Sequence, residues 1–375
     1  MRFGGIDGLR AFAVVAVIAA HSHVPWLHGG GVGVDIFFGI SGFLITYLLI
    51  KESQQHGRVA LGKFWLRRLL RLMPALTALV IFVDALAILT SFVRPNDGLA
   101  DSLWATPSVL FYFSNWMIVG TSTPYLGWFG PLWSLSVEEQ FYLVWPLVVV
   151  VVMRLRRPLL ALAFIASAIS LVAIVNRFVI FDGTNMFRTF GTDFRVDMLL
   201  AGALLAIAIH AGHTKAVKAA SRALIAPAVL YLSVVAVIVP DFNSDGVQFA
   251  NRLYYTVGLP FVALSTVAII GFVVTHQDGK MTQVLSSRVL EYTGRISYGM
   301  YLWHYAVIMA VNVAVDVDPN LVFAISLLGT YAAAGVSWRF LEGPLQKRFH
   351  ERLKPARAEP IRPVVNRAAT DAAVE

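Results

Sequence analysis

Long apolar stretches, separated by short polar segments, recur along almost the whole chain of 375 residues. About 20 predominantly apolar residues suffice to cross a bilayer as a helix. The pattern therefore predicts an all-α, polytopic membrane helical bundle. Eleven windows of suitable length and composition can be marked: residues 8–24, 32–50, 73–93, 101–119, 131–153, 158–176, 194–210, 223–240, 253–275, 296–315 and 321–341.

The distribution of lysine and arginine decides whether the fourth window, residues 101–119, crosses the membrane. Positively charged residues are enriched in cytoplasmic loops, and a cytoplasmic N-terminus also places the basic segment 51–71 in the cytoplasm. If 101–119 crosses, every later basic cluster faces outward. If it does not cross, all but five of the 30 lysines and arginines lie on the inner side. The five that remain outside or near that edge are Arg94, Arg177, Arg188, Arg195 and Arg252.

Prolines and glycines also interrupt residues 101–130, as is typical of turns and loops. We therefore interpret this segment as an interfacial or re-entrant piece on the outer side. The sequence then predicts about ten transmembrane helices with both termini in the cytoplasm. We expect the first helix to be retained, because its apolar run continues into His21 and a glycine-rich turn without the cleavage site of a signal peptide.

Two further segments have distinct patterns. Residues 58–72 place basic residues between aromatic and leucine residues, which favours an amphipathic helix on the inner interface. Residues 352–375 mix proline, alanine, arginine and glutamate without an apolar face, which is typical of disorder. We expect a membrane domain over residues 1–345 and a basic, disordered cytoplasmic tail over residues 346–375.

The composition narrows the class of protein. Hydrophobic residues make up 58% of the chain and charged residues 14%, whereas soluble proteins have roughly 45–50% and about 25%. This excludes a soluble enzyme, and it also excludes a nucleic-acid-binding protein despite the net charge of +8. The chain has no cysteine, which excludes disulfides, thiol nucleophiles and thiolate metal sites.

Ionisable residues inside membrane helices are costly and often mark a functional site. Arg10 and His21 share the first window and lie eleven residues apart, or about 16 Å along a helix, so they could contact opposite ends of one long ligand. Histidine is the usual general base near neutral pH, and Asp35 in the next window could stabilise its protonated form. The alternatives are a snorkelling arginine, an interfacial histidine and an aspartate that complements a helix dipole.

Two pairs of charged residues suggest further contacts. Arg68 and Arg71 are three residues apart and share a helical face. Arginine side chains suit phosphate oxygens, so this face could bind a phosphate group. Alternatively, the two arginines orient the chain in the membrane or bind anionic lipid. Glu138 and Glu139 begin the window 131–153. One of these carboxylates could face a polar cavity or pair with an arginine, and the other could lie at the outer interface.

Several other polar residues are secondary candidates. We favour a structural ion pair among Asp193, Arg195 and Asp197, and an aromatic-belt position is the simplest interpretation of His304. The secondary candidates for the site are Glu139, Tyr142, Arg195 and His304.

Taken together, the motifs resemble the acyltransferase-3 family of integral-membrane O-acyltransferases. They occur in the family's order and cover residues 4–345. The matching segments read GIDGLRAFAVVAVIAAH, GVDIFFGISGFLIT, RRLLR, SLSVEEQFYLVWP, DFRVDMLLAG and RISYGMYLWHY.

The resemblance implies a multi-pass enzyme of the inner (plasma) membrane that moves an acyl group, often acetyl, from cytoplasmic acyl-CoA to a hydroxyl of a sugar, glycolipid or macrolide. It requires no metal and leaves self-association open. His21 corresponds to the catalytic histidine, and Arg10 belongs to the same motif. Arg68 and Arg71 correspond to paired arginines implicated in binding the coenzyme. Either Glu138 or Glu139 occupies the acidic position of the fourth span.

In this hypothesis His21 either deprotonates the acceptor hydroxyl or carries the acyl group itself, while Glu138 or Asp35 holds the imidazole tautomer. The alternative function is a transporter or flippase in which buried charges relay protons. The sequence shows neither an inverted repeat nor a pair of broken helices to support it. A receptor or scaffold would leave the arginines and His21 unexplained.

Overall fold

The computed structural model describes residues 3–90, 99–121, 126–238 and 248–352. Those residues form helices joined by turns and contain no β-strand, which confirms the predicted all-α fold. The α-helices are α1 (Ile6–His21), α2 (Val32–His56), α3 (Leu61–Thr90), α4 (Leu99–Leu110), α5 (Ser114–Thr121), α6 (Trp133–Val152), α7 (Pro158–Ile180), α8 (Thr192–His210), α9 (Thr214–Ile238), α10 (Gln248–Leu253), α11 (Leu259–Thr275), α12 (Lys280–Leu285), α13 (Arg288–Ala314), α14 (Pro319–Ser337) and α15 (Gly343–Arg352).

Every one of the ten predicted spans contains a long helix. Seven helical stretches of the described residues are long and apolar enough to cross a membrane by length and composition alone. The three remaining long helices, α1, α8 and α13, are shorter or richer in polar side chains. Large apolar side chains such as Leu160, Phe164 and Val179 are exposed on α7, which suits contact with lipid. The chain is a polytopic membrane helical bundle.

As predicted, the window at 101–119 does not form one spanning helix. It is divided into α4 and α5 by a turn in which Tyr112 has a φ of 55°. Gln140 of α6 closes this turn by donating from Nε2 to the Tyr112 carbonyl oxygen at 2.8 Å and to Asn115 Oδ1 at 2.9 Å. The break is therefore held by hydrogen bonds to the neighbouring long helix.

The relative direction of α2 and α8 supports this division. Asp35 near the start of α2 pairs with Arg195 near the start of α8, and the carbonyl oxygen of Tyr47 contacts His210 at the end of α8. The two helices therefore run parallel. Parallel neighbours in a membrane are separated by an odd number of crossings, which α3, α6 and α7 supply, and a further crossing at 101–119 would reverse α8.

The prediction of a separate interfacial helix over residues 58–72 is wrong. A single helix, α3, runs from Leu61 to Thr90 through Pro74. Its first turns are held against α6, because the indole nitrogen of Trp65 donates to the Tyr142 carbonyl oxygen at 3.0 Å. At the other end of the chain, α15 crosses the predicted boundary at residue 345. The tail predicted beyond that helix, 353–375, lies outside the described residues.

The close crossing of α2 and α8 gives a stability prediction. A Cβ added at Gly42 would collide with the Leu199 carbonyl oxygen, whereas a Cβ at Gly62 on α3 would meet no atom within 4 Å. Small residues permit this kind of backbone approach between membrane helices. We expect Gly42→Ala to lower stability by about 1–3 kcal/mol and Gly62→Ala to be neutral or slightly stabilising. Thermal unfolding midpoints in detergent compare the two variants, and equal midpoints would contradict the crossing.

Candidate active site

Three cavities follow one another through the helical bundle, and this row of cavities is here called the channel. The first, here called the basic cavity, has a volume of about 540 Å³ and is bordered by Arg10, Arg68 and Arg71. The second, the neck, has a volume of about 40 Å³ and begins at Arg10. The third, the histidine cavity, has a volume of about 330 Å³ and is bordered by His21.

Adjoining cavities share the side chains that border them. Arg10, Glu138 and Tyr298 border both the basic cavity and the neck. Val34 and Tyr301 border both the neck and the histidine cavity. The channel therefore follows α1 from the second turn of the helix to its last residue. The arginines predicted from the sequence lie at one end of the channel, and His21 lies at the other.

The basic cavity contains two arginines that form no ion pair within the described residues. Arg68 is neutralised, because its Nε donates to Glu139 Oε1 at 3.0 Å and its guanidinium lies 3.2 Å from the centroid of the Tyr142 ring. Arg71 makes no ion pair or hydrogen bond within the described residues, and the charges of Arg10 and Arg68 repel it. The buried Nε of Arg10 also has no hydrogen-bond partner there. An anion in this cavity would give both guanidinium groups a hydrogen-bonded partner.

The adjacent carboxylates of α6 have different partners. Ser41 Oγ donates to Glu138 Oε1 at 2.8 Å, and Glu138 borders the basic cavity and the neck. Glu139 accepts from Arg68 instead. Successive residues on an α-helix are rotated by about 100°, so the two carboxylates face different neighbours. The structure places Glu138 in the channel and Glu139 beside the basic cavity as the partner of Arg68.

His21 ends α1 and is held by its own helix and by α13. Its Nδ1 lies 2.9 Å from the Val17 carbonyl oxygen and 3.3 Å from Nε2 of His304. A carbonyl oxygen only accepts hydrogen bonds, so Nδ1 of His21 carries the hydrogen and Nε2 is the basic nitrogen. The expected carboxylate partner is not observed, since neither Asp35 nor Glu138 is hydrogen-bonded to His21 within the described residues.

Asp35 pairs with an arginine rather than with His21. Arg195 Nη1 donates to Asp35 Oδ1 at 3.1 Å, and both side chains are almost completely buried. Arg195 also donates from Nε to the Thr189 carbonyl oxygen at 2.9 Å. Both members of the pair border the histidine cavity. They therefore form a fixed polar group within reach of a molecule bound beside His21.

The ion pair predicted within 193–197 is wrong in its partners. Residues two apart on a helix do not face each other, so Arg195 contacts neither neighbouring aspartate. Asp193 pairs with Arg188, and Asp197 accepts from Nη1 and Nη2 of Arg177 at 2.8 and 2.7 Å. These arginines come from the end of α7 and from the segment before α8, positions that the periodicity of α8 could not indicate.

Seven aromatic side chains also border the histidine cavity. The sequence did not single them out as a group, because they come from α6, α13, the turn before α8 and the turn between α10 and α11. Two adjacent tyrosines do mark a π-helical turn between α10 and α11. The aromatic residues are Trp133, Phe187, Phe190, Tyr254, Tyr255, Tyr301 and Tyr305.

The fold and the site define a polytopic membrane protein in which a row of cavities extends from a cationic cavity to a half-buried histidine. Within the ranges that the structure describes, no three His, Cys, Asp or Glu side chains are grouped so as to hold a metal ion. A family model described as an acyltransferase domain matches residues 3–339. The chain belongs to the acyltransferase-3 family.

Two curated relatives have similar sequences. The O-acetyltransferase OatA of Staphylococcus aureus (strain NCTC 8325 / PS 47) is 35% identical over 354 residues, which cover 92% of this chain and 57% of the relative. The peptidoglycan O-acetyltransferase OatA of Listeria monocytogenes serovar 1/2a is 34% identical over 353 residues, which cover 91% of this chain and 55% of the relative. The chain thus spans little more than half the length of these relatives. No solved structure matches it significantly.

Proposed function

We propose that this protein is an O-acyltransferase of the inner (plasma) membrane that moves an acetyl group from cytoplasmic acetyl-CoA to a hydroxyl of a cell-envelope carbohydrate. The channel between the unpaired arginines and His21 is the observation that carries the proposal. The names of the relatives, O-acetyltransferase and peptidoglycan O-acetyltransferase, favour acetyl as the group and a carbohydrate as the acceptor. A glycolipid or macrolide is the other acceptor class.

The basic cavity suits the phosphate end of acyl-CoA. Arg71 and Arg10 form no ion pair within the described residues, and arginine forks bind phosphate oxygens through paired hydrogen bonds. Coenzyme A carries its phosphates and its thioester at opposite ends of an extended arm. Arg10 and His21 lie about 16 Å apart along α1, so this arm would pass through the neck with its thioester towards His21. The small volume of the neck requires its side chains to move apart as the arm enters.

The histidine cavity suits a sugar. Its volume falls at the small end of the roughly 300–1,000 Å³ range of small-molecule sites. Aromatic rings pack against the apolar faces of sugar rings, and the Asp35–Arg195 pair offers an acceptor and donors to sugar hydroxyls. The predicted orientation of α1 places this cavity towards the outer side, where envelope carbohydrate is found.

Two routes of transfer use the same nitrogen of His21. In the first, Nε2 takes the proton of the acceptor hydroxyl, the oxygen attacks the thioester carbonyl, and coenzyme A leaves as a thiolate that regains the proton. In the second, Nε2 attacks the thioester itself and the thiolate leaves; the acceptor hydroxyl then displaces the imidazole from the acyl group, and its proton passes to the thiolate. Both routes end with a free thiol and an acylated hydroxyl.

The test uses the full chain purified in detergent or reconstituted into liposomes. Acetyl-CoA is supplied with or without soluble peptidoglycan fragments, and free thiol and acetylated glycan are measured by a thiol reagent and by mass spectrometry. We expect thiol release and glycan acetylation together, with more than one thiol released per protein molecule only when acceptor is present. The S. aureus relative is reconstituted in parallel as a positive control. If this chain gives neither product under conditions in which that relative is active, the proposal is overturned.

A further inference from the structure

His304 is a buried histidine to which the proposed mechanism gives no role. It lies on α13 with 0% of its surface exposed, and its ring centroid is 5.1 Å from that of His21. Helices α1 and α13 are brought together at their other ends by Gly294, where any side chain would collide with the Asp7 carbonyl oxygen. The contact between the two rings is therefore fixed by the packing of two parallel helices.

The hydrogen bonds of His304 define its tautomer. Its Nδ1 lies 2.6 Å from the Tyr301 carbonyl oxygen, which can only accept, so Nδ1 carries the hydrogen. The Nε2 of a neutral ring is then a lone-pair acceptor, and this atom is the one that contacts Nδ1 of His21 at 3.3 Å. The Tyr301 side chain is itself fixed, because its hydroxyl donates to the Pro131 carbonyl oxygen at 2.8 Å.

The N–H of His21 thus has two acceptors, the Val17 carbonyl oxygen and Nε2 of His304. We propose that His304 is the positioning residue of His21: it accepts a hydrogen bond from Nδ1, keeps Nε2 of His21 basic and stabilises the positive charge that forms when Nε2 takes a proton or an acyl group. This role rests on the proposed acyl transfer. A carboxylate has the same role in many hydrolase triads, and here Asp35 and Glu138 are bound elsewhere.

A neutral acceptor suits this position. A carboxylate buried beside His21 would carry a charge that is costly away from water, whereas a neutral imidazole has no such cost before the reaction starts. During transfer the positive charge on His21 is shared with two acceptors that are already in place. Groups oriented in advance in this way stabilise a transition state without further reorganisation.

The test compares two amides at position 304 in the full chain. Glutamine can place its amide oxygen near the position of the ring Nε2, whereas asparagine is too short and reaches only the position of Nδ1. We expect His304→Asn to lower kcat about 100-fold with the KM for acetyl-CoA unchanged, and His304→Gln to remain within about tenfold of the wild type. Equal activity of the two variants, whether both active or both inactive, overturns the proposal.

A double-mutant cycle separates positioning from a structural role. In a His21→Ala background the change His304→Asn should lower the residual rate no further, because its effect acts through His21. A further loss of the same size as in the wild type would contradict the inference even if the single variant were unstable. If the wild type itself shows no acceptor-dependent transfer, the proposed function fails. If the wild type transfers acetyl and His304→Asn matches it, only this inference fails.

Discussion

Replacing His21 by alanine is expected to lower the kcat of acetyl transfer by about 10²–10⁴-fold, the range over which a positioned general base contributes. The KM for acetyl-CoA should change little, because the coenzyme phosphates are assigned to arginines at the opposite end of the channel. The measurement is the rate of acceptor-dependent thiol release by purified variant in detergent, with acetylated glycan quantified in the same samples.

His23 provides the matched control for this experiment. It is an exposed histidine two residues further along, and it is not among the residues that border the histidine cavity. Its φ is 55°, a conformation that asparagine tolerates well, so His23→Asn removes an imidazole without straining the turn. We expect this variant to transfer acetyl at the wild-type rate. A fully active His21→Ala protein would remove His21 from the chemistry.

Replacing Arg71 by glutamine is expected to raise the KM for acetyl-CoA about 10- to 100-fold, since a hydrogen bond to a charged group contributes about 1.5–3 kcal/mol. The kcat should change less than threefold, roughly the residual effect of a group remote from the reacting atoms. A change at Arg71 tests coenzyme binding more directly than a change at Arg68, because Arg68 also stabilises the fold through Glu139 and Tyr142. The KM and kcat are measured by steady-state kinetics at varied concentrations of acetyl-CoA.

Lys63 is the control for the change at Arg71. It lies on the same helix, is exposed and does not border the basic cavity. The variant Lys63→Gln removes the same charge from α3 and should leave the KM unchanged. If both variants raise the KM equally, the effect is a general one of net charge at the membrane surface, and the assignment of Arg71 to the coenzyme phosphates is wrong.

The arrangement around His21 differs from a catalytic histidine oriented by a carboxylate. The carboxylates of Asp35, Glu138 and Glu139 are engaged with Arg195, Ser41 and Arg68, respectively. Their partners come from other helices and hold them as parts of the walls. The acceptor for the His21 ring is supplied by a carbonyl oxygen of its own helix and by His304, both neutral groups. The replacement of His304, rather than of a carboxylate, therefore tests how His21 is held.

Charges two residues apart on one helix show where inference from spacing fails. Asp193, Arg195 and Asp197 are close in sequence and opposite in charge, yet each pairs with a residue outside the trio. Spacing along a helix determines which side chains share a face, but it does not determine what stands opposite that face. The same reason explains why the two adjacent glutamates could not be distinguished before their neighbours were known.

The amino-acid sequence by itself determined that the protein is an all-α membrane bundle, that 101–119 does not cross as one helix and which arginines and histidine are candidate site residues. These conclusions depend on local properties, namely the length of apolar stretches, the side on which charges accumulate and the identity of short motifs. Only the tertiary structure decided that Glu138 lines the channel, that Asp35 belongs to Arg195 and that His304 contacts His21. Helix α2 approaches α8 at Gly42, and α13 approaches α1 at Gly294. Contacts between distant segments are set by how helices cross rather than by the pattern within any one of them.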